Sequence, residues 1–142
     1  MLALGLAVST ATASSQSLYT AKQTTACLMA HKVIVTPVPR RQAVPAGVPV
    51  AAAVDFSFAL IPAQAVDGGE IVFERDAVTA QHAWTKIYAI DVAQAAQVQG
   101  ISLSKAAALI RQSLVLHGNT VTIWTNHPVK AASRTRILGC LR

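Results

Sequence analysis

The residues of this chain that first invite chemistry are its two cysteines, Cys27 and Cys140, and the histidine four positions after the first, His31. On a helix, residues four apart share a face, so Cys27 and His31 have the spacing of a thiol beside its base. No third group or nucleophile signature surrounds them, and cysteine–histidine enzymes draw these residues from distant parts of the chain. In an oxidising compartment the two cysteines would instead close a single long-range disulfide, worth roughly 4–5 kcal/mol in the chain-entropy model. Two buried, reduced thiols, each acting as a small core residue, form the other reading of the pair.

Other candidate chemistry is sparse. Glu70, Glu74 and Asp76 cluster beyond Gly68-Gly69. On a strand Glu70 and Glu74 share a face, which with a histidine suggests a carboxylate pair for hydrolysis. A solvated strand edge followed by a helix cap accounts for the same residues. His31, His82, His117 and His127 show no zinc spacing and no Cys-x-x-Cys beside them, so neither a metal nor another cofactor is expected. Gly68-Gly69 reads as a turn, lacking the lysine and following helix of a phosphate loop.

The charge is unevenly placed. Residues 1–91 hold six basic and six acidic side chains, whereas 92–142 hold six basic ones and no acid, giving the whole net charge of +6. Such a field attracts nucleic acid, anionic lipid or an acidic wall polymer. A basic surface that keeps a hydrophobic domain soluble accounts for it equally. Lys130 and Arg134, a turn apart with Arg136 close by, are the candidate anion-binding residues. Aromatic residues make up only 5% of the chain, which argues against a broad stacking surface for bases or sugars. No helix-turn-helix pattern supports sequence-specific DNA binding.

The elements that must position these groups follow from periodicity and punctuation. Leu18 to His31 reads as a helix, with Ala21, Thr25, Leu28 and Met29 near one face. Val33-Ile34-Val35 is a short strand stopped by Pro37 and Pro39, and a proline-rich linker occupies 39–50. Val54 to Ile61 alternates as a half-buried strand, and Glu70 to Glu74, beyond the turn, is its neighbour. Asp76 is a helix N-cap, with Ala80, Ala83, Trp84 and Ile87 following; Trp84 to Val92 also fits a strand. Gly100 breaks the alanine–glutamine stretch, and Ser102 or Ser104 caps another helix. Leu114–Leu116 and Val121–Trp124 form a hairpin around His117-Gly118-Asn119. Asn126 caps a final helix, with Pro128 in its first turn and Val129, Ala132, Ile137, Cys140 and Leu141 along it.

The chain's 142 residues suffice for one domain with a core of its own. Its mean hydropathy is +0.45, raised partly by the amino end and partly by alanine. There, Leu2 to Val8 is an apolar run, and Ala11-Thr12-Ala13 has the small-residue pattern of a signal cleavage site after Ala13, although no lysine or arginine precedes the run. Val48 to Val66, the most apolar later stretch, contains Pro49, Asp55 and Pro62 and is not the roughly 20-residue apolar run a membrane span needs. The expectation is a signal-like segment at 1–13, a single domain at 14–142 and a secreted or extracytoplasmic location.

Several short motifs carry a likeness. They are Thr25-Ala26-Cys27-Leu28, Glu70 to Phe73 running into an alanine-rich helix, Gly118-Asn119-Thr120-Val121, and the closing Gly139-Cys140-Leu141-Arg142. Together they resemble short predicted exported proteins of unknown function from GC-rich bacteria. The likeness spans most of residues 18–142 and departs at the Arg40–Pro49 linker and the Ala93–Ser104 stretch. It implies a paired-cysteine exported domain and carries over no catalytic residue.

The fold expected is α+β: a small, mainly antiparallel sheet with helices packed on one face, the terminal helices tied through Cys27 and Cys140. The function expected is that of an exported, non-enzymatic binding or structural domain, its partner an anionic envelope polymer or another exported protein. The alternatives are an anion-binding envelope module using the basic third, or a small hydrolase.

Overall fold

A computed structural model describes residues 18–39, 48, 50–58, 67–125 and 128–141. Among these residues five strands form one sheet: β1 (Val33–Val38), β2 (Ala52–Phe58), β3 (Gly68–Phe73), β4 (Leu114–His117) and β5 (Thr120–Trp124). Their order is β1-β2-β3-β5-β4, and every neighbouring pair is antiparallel. Four helices among the described residues accompany it: α1 (Ala21–Ala30), α2 (Ala77–Gln99), α3 (Leu103–Ser113) and α4 (Ala131–Gly139).

The central strands are apolar on both sides. Successive strand residues point to opposite faces, and Ile71 and Phe73 of β3 join a different core from Val72 between them. Ile71 and Phe73 pack with Leu28, Phe56, Trp124, Ile137 and Cys140, under α1 and α4. Val72 packs with Ala80, Ala83, Ile87, Leu114 and Val121, under α2, and α3 lies against α2. The α+β class, the antiparallel sheet and the disulfide-linked terminal helices are as expected. Where one covered face was expected, the helices are divided: α1 and α4 on one side, α2 with α3 on the other. A strand hydrophobic on both faces needs a cover on each.

Several local expectations shift for reasons that lie outside the local sequence. β1 runs through Pro37 to Val38 because it is an edge strand, where a missing N–H removes no ladder bond toward a further neighbour. Gly68 and Gly69 are not a turn but the start of β3. Gly69 lies opposite both Phe56 and Trp124, and a Cβ there would run into the Ile123 carbonyl oxygen and stand 2.9 Å from Phe56 Cζ. Only glycine fits so close an approach of three strands.

Part of the expected linker belongs to the structure: Val48 is buried against the α2 side, and just after the linker Ala51 N–H donates to the Phe73 carbonyl at 3.0 Å. Residues 59–61 of the expected strand lie outside the described residues.

The stretch from Trp84 to Val92, open to a strand reading, is helical throughout, and α2 continues through the alanine–glutamine segment. Gly100 ends it in the left-handed conformation, with φ of 61°. Asp76 and Ser102 cap α2 and α3 through side-chain acceptors at 2.7 Å and 3.3 Å. The final helix starts later than expected. Lys130 occupies its N-cap position without a side-chain cap bond, so Pro128 precedes the helix instead of opening it. Asn126, the expected cap, lies outside the described residues.

Candidate functional site

The site is built where α1 and α4 end. Thr20 caps α1, its hydroxyl accepting from Gln23 N–H at 3.2 Å. The residue before it is anchored across the sheet. Asn119, buried in the β4–β5 turn, accepts from Tyr19 N–H at 2.7 Å and donates Nδ2 to the carbonyls of Tyr19, at 3.0 Å, and Glu74, at 2.8 Å. Tyr19 also places its hydroxyl 3.2 Å from His117 Nε2, with the two rings 5.5 Å apart. The left-handed Gly118, whose added Cβ would meet Tyr19 Cε2 at 2.8 Å, leaves room for that ring. These bonds hold the start of α1 against the hairpin. From there the helix carries Leu28, fully buried, into the core and Cys27 to its edge.

At the other end Ile137, fully buried in the same core as Leu28, lays α4 on the same face, and Leu141 just beyond the helix is fully buried as well. Cys140 follows as its C-cap, with its N–H donating to the Ile137 carbonyl at 3.1 Å. Cys27 and Cys140 are disulfide-bonded, with Cα atoms 5.7 Å apart across 113 positions of sequence. His31 is the C-cap of α1, exposed, with its N–H shared between the carbonyls of Cys27 and Leu28. A ring nitrogen of His31 and both sulfurs lie within 4.8 Å of one another. Among the described residues this is the one group of three or more His, Cys, Asp and Glu side chains gathered as metal ligands would be. Sequence spacing pairs Cys27 with His31; the third member comes from the far end of the chain.

A cleft of about 460 Å³ opens beside the disulfide, lined by Leu18, Tyr19, Thr20, Gln23, Thr24, Cys27, Gly139 and Cys140. None of these described side chains is charged.

The three basic residues do not form one stripe. Lys130 and Arg134 are a turn apart, but Arg134 and Arg136 leave α4 about 200° apart around its axis. Arg134 donates Nη2 to the Gln112 carbonyl at 2.6 Å, on the α3 side. Arg136 is exposed and sits over the Phe58 ring, 5.9 Å from its centroid, on the β2 side. Lys130 has an exposed side chain, and its N–H donates to the buried Asp67 carboxylate at 3.2 Å.

The acids do not converge either. Glu70 and Glu74 are four positions apart on extended chain, which sets their Cα atoms roughly 13 Å apart, a wide span for the two carboxyl groups that hydrolysis needs roughly 5–9.5 Å apart. Glu70 instead lies directly opposite Asp55 across the β2–β3 ladder, a juxtaposition set by strand register. Burial raises the Asp55 carboxyl above its usual range. Glu74 is buried. Its carboxyl is pushed up first by that burial and then by the charge of Asp76, partly offset by Arg75. Asp76 itself is held low by the Thr79 N–H it accepts as a cap, and then by the Thr79 hydroxyl. His82 is exposed, His117 is engaged with Tyr19, and His127 lies outside the described residues.

No family model, curated protein or solved structure matches this chain.

Proposed function

We propose that this chain is an exported, non-catalytic domain, structural or binding in role, whose first and last helices are joined covalently outside the cytoplasm. The Cys27–Cys140 disulfide carries the reading, because disulfides persist in oxidising compartments and are rare where cellular reductants keep thiols reduced. The apolar run Leu2 to Val8, followed by Ala11-Thr12-Ala13, supports export with cleavage after Ala13. No helix among the described residues is long and apolar enough to cross a membrane.

The binding surface we assign is the cleft beside the disulfide. Its hydroxyl, amide and aromatic groups, from Thr20, Thr24, Gln23 and Tyr19, suit a neutral polar ligand such as a peptide backbone or a sugar better than an acidic polymer.

The test is the intact mass, without reductant, of the protein as its own host produces it. The expected mass lacks residues 1–13 and two hydrogens. A full-length mass with two free thiols would sink the export reading. For the cleft, titration of the labelled chain with short neutral peptides and oligosaccharides should shift amide resonances of Tyr19 to Thr24 and of Gly139. Shifts appearing only with acidic polymers, and only around Lys130 and Arg136, would move the binding role to the basic helix.

A further inference from the structure

We infer that Cys27, Cys140 and His31 form a zinc site when the disulfide is reduced, so that α1 and α4 are linked either by a covalent bond or through the metal. The first support is geometry. The three ligand atoms already lie within 4.8 Å of one another. Tetrahedral zinc, with bonds of about 2.3 Å to sulfur and 2.0–2.1 Å to nitrogen, needs about 3.8 Å between two sulfurs and about 3.6 Å from sulfur to nitrogen. Side-chain rotation supplies that spacing while the helices stay in place.

The second support is the donor set. Two thiolates and an imidazole are soft to borderline ligands that favour zinc over magnesium or calcium. The third is the field. Cys27 lies in the last turn of α1, and both His31 and Cys140 are C-caps, so two helix C-termini direct partial negative charge toward a bound cation. The cleft against Cys27 and Cys140 gives the ion an entry path and leaves the fourth position to water.

The chemistry balances. A dithiol or phosphine reductant delivers two electrons, the Cys27–Cys140 S–S bond breaks, and two protons give two thiols while the reductant is oxidised. Zinc then binds both sulfurs and the neutral imidazole, and two protons leave.

The test uses the full chain, oxidised or reduced with a phosphine under inert gas, and titrates it with Zn2+ and, as a spectroscopic probe, Co2+. The reduced protein is expected to bind one ion per chain, release two protons, and give with Co2+ a thiolate charge-transfer band and tetrahedral visible bands. The oxidised protein should give none of these. His31→Ala, at an exposed position, should keep the unfolding midpoint of the oxidised wild type. Its zinc affinity after reduction should fall by at least about 10–100-fold, the range seen when even an outer-shell partner of a metal ligand is lost. Zinc should also raise the unfolding midpoint of the reduced wild type, or restore its helical circular dichroism if reduction unfolds it. Equal affinity in reduced wild type and reduced H31A would overturn the site, as would zinc that neither binds tightly nor restores the fold.

Discussion

Removing the crosslink tests the central feature of this fold. The perturbation is Cys27→Ala with Cys140→Ala. The disulfide closes a loop spanning 113 positions, for which the loss of loop-closure entropy from the unfolded chain amounts to about 4.8 kcal/mol at 25 °C. Removal of native disulfides typically costs 2–5 kcal/mol, against a total stability of roughly 5–15 kcal/mol for a domain. A chain of this length unfolds with about 0.3 kcal/mol/K of entropy, so the melting temperature should drop by roughly 7–16 °C. The assay is guanidinium unfolding at pH 7, with chelator present. The midpoint should fall, and the slope should rise because the freed unfolded chain exposes more surface. A parallel measurement on reduced wild type separates crosslink from packing, since it keeps both sulfurs in place. If the double variant loses stability and the reduced wild type does not, the loss comes from the cavity at Cys140. A loss below about 1 kcal/mol in both would refute the entropic argument.

Three further outcomes are expected. Asn119→Ala should cost about 2–4 kcal/mol in denaturant unfolding, because it strips Tyr19 N–H and the Tyr19 and Glu74 carbonyls of buried partners at once; a loss under 1 kcal/mol would show that water replaces the amide. Gly69→Ala should cost at least about 1–3 kcal/mol, since its methyl meets the Ile123 carbonyl and Phe56, and should weaken hydrogen-exchange protection along β3 and β5 first. Glu74→Gln should be more stable than wild type at pH 7. The Glu74 carboxyl is raised above its usual 4.5, so the folded state holds its proton longer than the unfolded state. Its contribution is therefore fully present below about pH 4.5 and is lost as pH rises through the folded value. Relative to E74Q, wild type should weaken on going from pH 4 to pH 7; parallel pH profiles would count against this assignment.

The sequence by itself determined what nearest neighbours control. Alternation from Val54 to Ile61 marked β2, Asp76 and one of Ser102 and Ser104 marked helix starts, Gly100 marked a stop, and Gly118-Asn119 marked a hairpin. Each depends on backbone conformation or hydrogen bonds within a few residues, which local sequence encodes. Tertiary structure alone decided the rest. Pro37 is a strand residue because β1 turned out to be an edge, and Gly68-Gly69 open a strand because Phe56 and Ile123 crowd that position from both sides. Arg134 and Arg136 leave α4 about 200° apart by helix geometry alone, but which neighbours they meet, the Gln112 carbonyl and the Phe58 ring, was decided by the burial of Ser133 and Ile137, which sets the rotation of α4. Cys27 and His31 were adjacent on their helix from the start, but Cys140 reaches them only because α1 and α4 bury Leu28 and Ile137 in one core on the same face of the sheet. Local rules set where the elements begin and end; the chemistry near the disulfide depends on which faces the core required them to share.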